Sequence, residues 1–127
     1  IRRPPRSTQG VSSAASDVYK RQELIKEGID VEIIDLRTIR PMDYQLIFES
    51  VKKTNRLVIL EESWPFGNIS TEITYQVQNE IFDYLDAPIE KINTADTPAP
   101  YSPVLLKEWL PNYDDVIKAV KKVMYHK

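Results

Sequence analysis

Cysteine is absent from this chain, and histidine nearly so: His126 stands alone beside the carboxyl terminus. Without thiols there is no disulfide framework and no thiolate metal site, and a single imidazole cannot build a His-based metal cluster or a catalytic triad. Glycine is scarce. Gly10, Gly28 and Gly67 are too few and too scattered for a Gly-rich loop to cradle a phosphate. No apolar run approaches the roughly 20 residues that span a bilayer, so no membrane partner is expected. Charge of neither sign dominates. A formal net charge of -2 over 127 residues leaves no broad basic field for a phosphate backbone, which argues against nucleic acid as a partner.

What is present divides unevenly. Ile1 to Gln22 hold Arg2, Arg3, Pro4, Pro5, Arg6, a Ser/Thr/Ala-rich middle and one acid, Asp17, with no apolar periodicity. Such composition predicts disorder. An Arg- and Ser-rich, acid-poor amino terminus also fits a mitochondrial transit peptide, although no amphipathic face is clear. A third reading fits better: Val11 to Gln22 resembles the conceptual translation of sequencing-adapter DNA found at the ends of fragmentary gene models. Residues 1–22 are therefore expected to be a non-native or disordered leader, and residues 23–127 one domain, about the length that buries a single core.

From Glu23 onward helical and strand patterns alternate, the signature of an α/β fold with a parallel sheet. Glu23 to Glu27 read as the last turns of a helix closed by Gly28. Val31, Ile33, Ile34 and Leu36 predict a first strand, Arg56 to Glu62 a second with a continuously apolar core, and Ile89 to Thr94 a third. Tyr44, Ile47, Phe48 and Val51 share one helical face, with Asp43 placed as its cap. Ile69, Ile73, Val77, Ile81 and Leu85 recur at every fourth position and predict a long amphipathic helix. Asn112 with Asp115 resembles a capping box before a last helix striped by Val116, Ile117, Val120, Val123 and Met124. Ala95 to Pro111 carries four prolines and is expected to be neither helix nor strand. A parallel sheet buried on both faces normally has more than three strands, so at least one is expected before Glu23.

The ends of those strands hold the candidate chemistry, because open α/β sheets gather ligands and partners beyond their carboxyl edge. Arg37 with Arg40, Glu61 with Glu62 and Trp64, and Asp96 are expected to converge there. One reading is a small-molecule site, with an anion on the arginines and acid-base work by the paired carboxylates. The other, which sequence alone favours, is mutual neutralisation between neighbouring loops. Trp64-Pro65-Phe66 is either an aromatic anchor for another subunit or a loop packing its rings on the sheet edge. The proline tract reads as a rigid connector before a groove-docking ligand. Asp86 reads as a surface turn residue unless a partner is basic.

Together these tracts resemble a known family. Val31-Glu-Ile-Ile-Asp-Leu-Arg-Thr-Ile-Arg-Pro-Met-Asp43, Leu57-Val-Ile-Leu-Glu-Glu62 with Trp64-Pro65, Phe82-Asp-Tyr-Leu-Asp-Ala-Pro88 and Ala95-Asp-Thr-Pro-Ala-Pro-Tyr101 are similar to the carboxyl-terminal transketolase-type domain of pyruvate dehydrogenase beta subunits. The resemblance covers essentially Glu23 to Lys127. The Asp-Leu-Arg-Thr-Ile-Arg-Pro tract is specific to beta subunits of 2-oxo acid dehydrogenases. The Leu-Asp-Ala-Pro and Ala-Asp-x-Pro-x-Pro-Tyr tracts look more like the pyruvate enzyme than its branched-chain or acetoin relatives.

The resemblance implies a three-layer α/β/α domain with a largely parallel sheet, its first strand missing. For the whole enzyme it implies oxidative decarboxylation of pyruvate and reductive acetylation of lipoyl groups, with thiamine diphosphate and Mg. It places those cofactors between the alpha subunit and the amino-terminal domain of beta. No catalytic or cofactor residue of the family then falls on this sequence, and the fragment alone is expected to be inactive. For this domain the resemblance implies assembly with the alpha subunit and a second beta subunit. It also implies docking on the dihydrolipoamide acetyltransferase core through that core's basic subunit-binding domain. Asp86 matches the acidic docking residue by motif, and Trp64, Phe66, Arg37 and Arg40 complete the expected partner interface. The compartment would be the cytoplasm in a bacterium and the mitochondrial matrix in a eukaryote. A branched-chain or acetoin dehydrogenase beta subunit, and a free-standing non-catalytic interaction module, are the alternatives.

Overall fold

A computed structural model describes residues 22–125; the expectations for residues 1–21, and for His126 and Lys127, fall outside the described residues. The chain divides into two compact units, Ile1–Ile47 and Phe48–Lys127, each taken by itself.

In the first unit, α1 covers residues 22–26 of the described chain. Gly28 ends it at φ 81, and its N–H donates to the Ile25 carbonyl at 3.0 Å while the Ile29 N–H donates to the Leu24 carbonyl at 2.9 Å. This is the paired bonding of a left-handed glycine cap, which brings an apolar residue on either side of the turn together. Leu24 and Ile29, the residues at those positions, are both buried. The strand expected at Val31–Leu36 is not formed: residues 29–38 have no regular structure. A strand exists by its ladder. Among the described residues the ladder is confined to β1, Val58–Leu60, and β2, Glu90–Ile92, and residues 31–36, despite their apolar spacing, take no part in one.

Asp43 caps the next helix as expected, accepting the Leu46 N–H at 3.0 Å. That helix, α2, runs Tyr44–Thr54, and Ile47 and Val51 are its buried positions. Asn55, left-handed at φ 63, closes it, a conformation Asn tolerates better than most residues.

In the second unit β1 and β2 are parallel, in the register Val58↔Glu90, Ile59↔Lys91, Leu60↔Ile92. Parallel neighbours need a crossover, and α3, Ile69–Ile81, supplies it. After β2 come α4, Pro103–Trp109, and α5, Tyr113–Val123, the latter packing on both strands. Successive strand side chains point to opposite faces. Glu90 accordingly pairs with Lys122 of α5 at 2.7 Å, while the Lys91 ammonium donates to Thr71 of α3 at 3.0 Å. The core of this unit joins Ile73, Val77 and Ile81 of α3 to Ile92 and to Ala119, Val120 and Val123 of α5. Each of the valine and isoleucine side chains removed from water contributes roughly 1.5–3 kcal/mol.

The parallel α/β class is as expected, but several boundaries differ. Both strands are shorter than their expected spans of Arg56–Glu62 and Ile89–Thr94, and Val58, Ile59 and Leu60 are half-buried rather than buried. In a two-stranded sheet β1 has a neighbour on one flank, whereas the continuous apolar run anticipated two. Leu85 lies outside α3. A 3-10 turn, Phe82–Tyr84, follows the helix, because Asn55 takes the next backbone groups: its side chain donates to the Tyr84 carbonyl at 2.8 Å and its carbonyl accepts the Asp86 N–H at 2.9 Å. The proline tract contains a helix after all. Pro103 sits at the start of α4, where its missing N–H would have had no partner, and no proline follows until Pro111. Met124, expected in the apolar stripe of α5, is its exposed C-cap.

Candidate functional site

The carboxyl edge of the sheet is organised around one acid. Glu61 follows β1 and reaches the first turn of α3, where Ile69 N–H donates to its Oε1 at 3.2 Å and Ser70 N–H to its Oε2 at 2.9 Å. The hydroxyl of Ser70, itself fully buried, adds a third bond at 2.7 Å. A helix N-terminus is a ready anion site, since its first N–H groups lack helical partners and the dipole favours negative charge. Here the chain fills that site with its own carboxylate. Burial acts to raise the Glu61 pKa, but the Ser70 hydroxyl, the backbone N–H groups of Ser70 and Ile69 and the Ser63 hydroxyl outweigh it, holding the carboxyl below its ordinary 4.5. A carboxylate held ionised with its lone pairs engaged is a structural anion, not a general acid. Glu62 and Asp96 are exposed.

Asn68 completes the cap of α3: its Oδ1 accepts Thr71 N–H at 3.0 Å, and its amide donates to the Trp64 carbonyl at 2.7 Å. Trp64 is thereby held from both ends. Its indole N–H donates to the Thr97 carbonyl at 2.9 Å, and the indole of Trp109 donates to that same oxygen at 2.8 Å. The loops after β1 and β2 are joined again where Thr94 N–H meets the Ser63 carbonyl at 3.0 Å. Phe66, in contrast, is 90% exposed, and α4 has no buried residue, leaving Val104 and Leu105 on the surface with Tyr101. Trp64 is thus a bonded loop residue, and Phe66 the free aromatic beside it.

Arg37 is left-handed at φ 59, and its guanidinium lies 3.6 Å from Asp35, whose other oxygen accepts the Arg37 N–H at 3.3 Å. Arg40, exposed, precedes Pro41 through a cis peptide bond. The partner of Arg37 is therefore an acid two residues away in its own unit.

Asp86 lies at the opposite, amino-terminal end of β1. Its side chain is 59% exposed and 3.9 Å from Arg56 Nη1. Its backbone is fixed by Asn55, as described, and its carbonyl accepts the Tyr125 hydroxyl at 3.4 Å. Arg56 Nε donates to the Val123 carbonyl at 2.8 Å, tying this corner to the end of α5. Beside Asp86 opens a groove of about 480 Å³, lined by Phe82, Leu85, Pro88, Ile89 and Tyr125 among others. A second recess of about 350 Å³ between β2 and α5 is polar: Glu90 pairs with Lys122 and Asp115 with Lys118, while Lys91 donates to Thr71.

Sequence reasoning named Asp86, Trp64 and Glu61 but missed Asn55, Arg56, Ser70, Asn68, Thr97 and Tyr125. Asn68 alone carried a legible signal, an N-cap residue just before the Ile69 periodicity. Among the described residues no group of three or more His, Cys, Asp or Glu could hold a metal ion, and no helix is long and apolar enough to cross a membrane.

Comparison with known proteins matches residues 11–116 to a family model described as the transketolase C-terminal domain. The chain is 54% identical over 103 residues to the pyruvate dehydrogenase E1 component subunit beta of Rickettsia felis, covering 81% of this chain and 32% of that protein. Against the subunit of the same name from Rhizobium meliloti it is 56% identical over 103 residues, covering 81% and 22%. Against the mitochondrial subunit beta-2 of Oryza sativa subsp. japonica it is 47% identical over 116 residues, covering 91% and 30%. It spans about a third or less of the length of these relatives. The parallel strands, the crossover helix between them and the matched span agree: this chain belongs to the transketolase C-terminal domain family.

Proposed function

We propose that the chain is the carboxyl-terminal domain of the beta subunit of a thiamine diphosphate-dependent pyruvate dehydrogenase, serving assembly and docking rather than chemistry. The observation that carries the docking role is Asp86: a half-exposed acid on the rim of a largely apolar groove, with its backbone fixed by Asn55 and Tyr125. A basic domain with an apolar contact residue is the complementary partner, and charge across such an interface gives steered, salt-sensitive association. In this reading that partner is the subunit-binding domain of the dihydrolipoamide acetyltransferase core, while Phe66 and the arginines Arg37 and Arg40 face the alpha subunit or a second beta subunit.

The described residues offer no donor set for a divalent ion, and Glu61 is already engaged. In this reading thiamine diphosphate and Mg lie between the alpha subunit and the amino-terminal domain of beta, where they would supply the decarboxylation chemistry. The compartment follows the organism: mitochondrial matrix for a eukaryotic source, cytoplasm for a bacterial one. Asp86→Ala in the full-length enzyme is expected to weaken binding to the acyltransferase by tenfold or more while free-enzyme decarboxylation of pyruvate is retained. Unchanged affinity in that titration would remove Asp86 from the interface. Preference of the full-length enzyme for branched oxo acids would overturn the pyruvate assignment.

A further inference from the structure

We propose that Arg56 is a built-in counter-ion of Asp86 that sets the strength and salt dependence of docking at this rim. The proposal rests on the docking reading of Asp86 and extends it to a residue on a different element. Arg56 stands at the entry to β1 and is the more buried member of the pair, with its side chain 28% exposed against 59% for Asp86. Its position is fixed by a bond that does not involve Asp86, from Nε to the Val123 carbonyl at the end of α5. One guanidinium edge therefore closes the helix, and the other is left facing the acid at 3.9 Å. Lys52, the nearby alternative on α2, lies over the Tyr84 ring at 5.3 Å, and its charge is engaged there.

Two consequences follow. In the free domain the Asp86 carboxylate is partly neutralised, so its field reaches a basic partner weakened. On docking, the partner's cations share the carboxylate with Arg56 and meet a like charge a few ångströms behind it. Both effects lower affinity, and both depend on the charge of Arg56 rather than its shape. An exposed pair of this kind is worth the equivalent of roughly two- to fivefold in affinity.

The test is a double-mutant cycle in the full-length enzyme, titrated calorimetrically with the isolated acyltransferase subunit-binding domain at two salt concentrations. Arg56→Gln keeps an amide donor for Val123 and loses the charge. Binding should tighten roughly two- to fivefold with a steeper salt dependence, and the gain should vanish in an Asp86→Asn background. Unchanged or weaker binding by a folded Arg56→Gln enzyme, where Asp86→Asn alone weakens binding, would overturn the counter-ion role and leave the docking reading standing. Unchanged binding by Asp86→Asn would overturn both. Should Arg56→Gln fail to fold, Arg56→Lys keeps the charge without the planar fork. Affinity within about twofold of the parent supports the proposal, and a greater loss overturns it in favour of Arg56 as a scaffold for Asp86.

Discussion

A carboxylate just beyond a strand of a parallel sheet invites a reading as acid or base, and Glu61 shows what decides otherwise. Three donors converge on it from the start of α3, and a negative charge there completes the helix terminus. Glu61→Gln replaces one acceptor oxygen with an NH₂ that faces N–H groups, and should destabilise the domain by about 1–2 kcal/mol in denaturant titration. Because the folded pKa lies below the ordinary 4.5, the unfolded chain takes up the proton first as pH falls. This contribution is therefore complete above about 4.5 and lost as pH drops through the depressed folded value. The Gln variant should lack that part of the acid dependence of Tm. An acid limb identical to the parent's would show that Glu61 does not hold α3. The role was not legible beforehand, since sequence displays Glu61 beside Glu62 but not the eight- and nine-residue reach to Ile69 and Ser70.

Among the elements, what was legible was local and what was not was relational. Asp43, Asn112 and Gly28 announced their helix ends because a cap is written within a few residues, and each makes the bond its type implies. Asn68→Ala removes the side-chain acceptor of Thr71 and should cost about 1 kcal/mol, and Asn112→Ala a similar amount at α5, both measurable by chemical unfolding. Gly28→Ala meets no atom within 4 Å, yet φ 81 makes it costly by about 1 kcal/mol through backbone strain alone. A strand, by comparison, is a relation between two segments. The periodicity of Val31–Leu36 specified which side chains would share a face but could not supply a neighbour to bond with. The proline tract misled in the opposite sense, because proline forbids a helix interior yet favours a first turn, and four prolines in one stretch hid the seven proline-free residues after Pro103.

At the scale of the whole molecule, the exposed apolar side chains bear on the proposed assembly role. Phe66, Tyr101, Val104 and Leu105 are each more than half exposed, and the proposed reading gives Phe66 a partner. Phe66→Ser should therefore leave the unfolding free energy of this domain within about 0.5 kcal/mol of the parent, yet weaken assembly of the full-length enzyme in sedimentation experiments. A loss of domain stability instead would place Phe66 in the fold rather than at an interface. The bonded ring beside it offers a way to follow such events. The two tryptophans of the chain both donate to the Thr97 carbonyl oxygen, one from the loop after β1 and one from the end of α4. Every intrinsic indole fluorophore thus reports on one backbone atom, and opening of either segment alters the emission of one indole directly and the other through their shared acceptor. Tryptophan emission then becomes a label-free clock for the moment at which this edge engages, or releases, whatever it is built to meet.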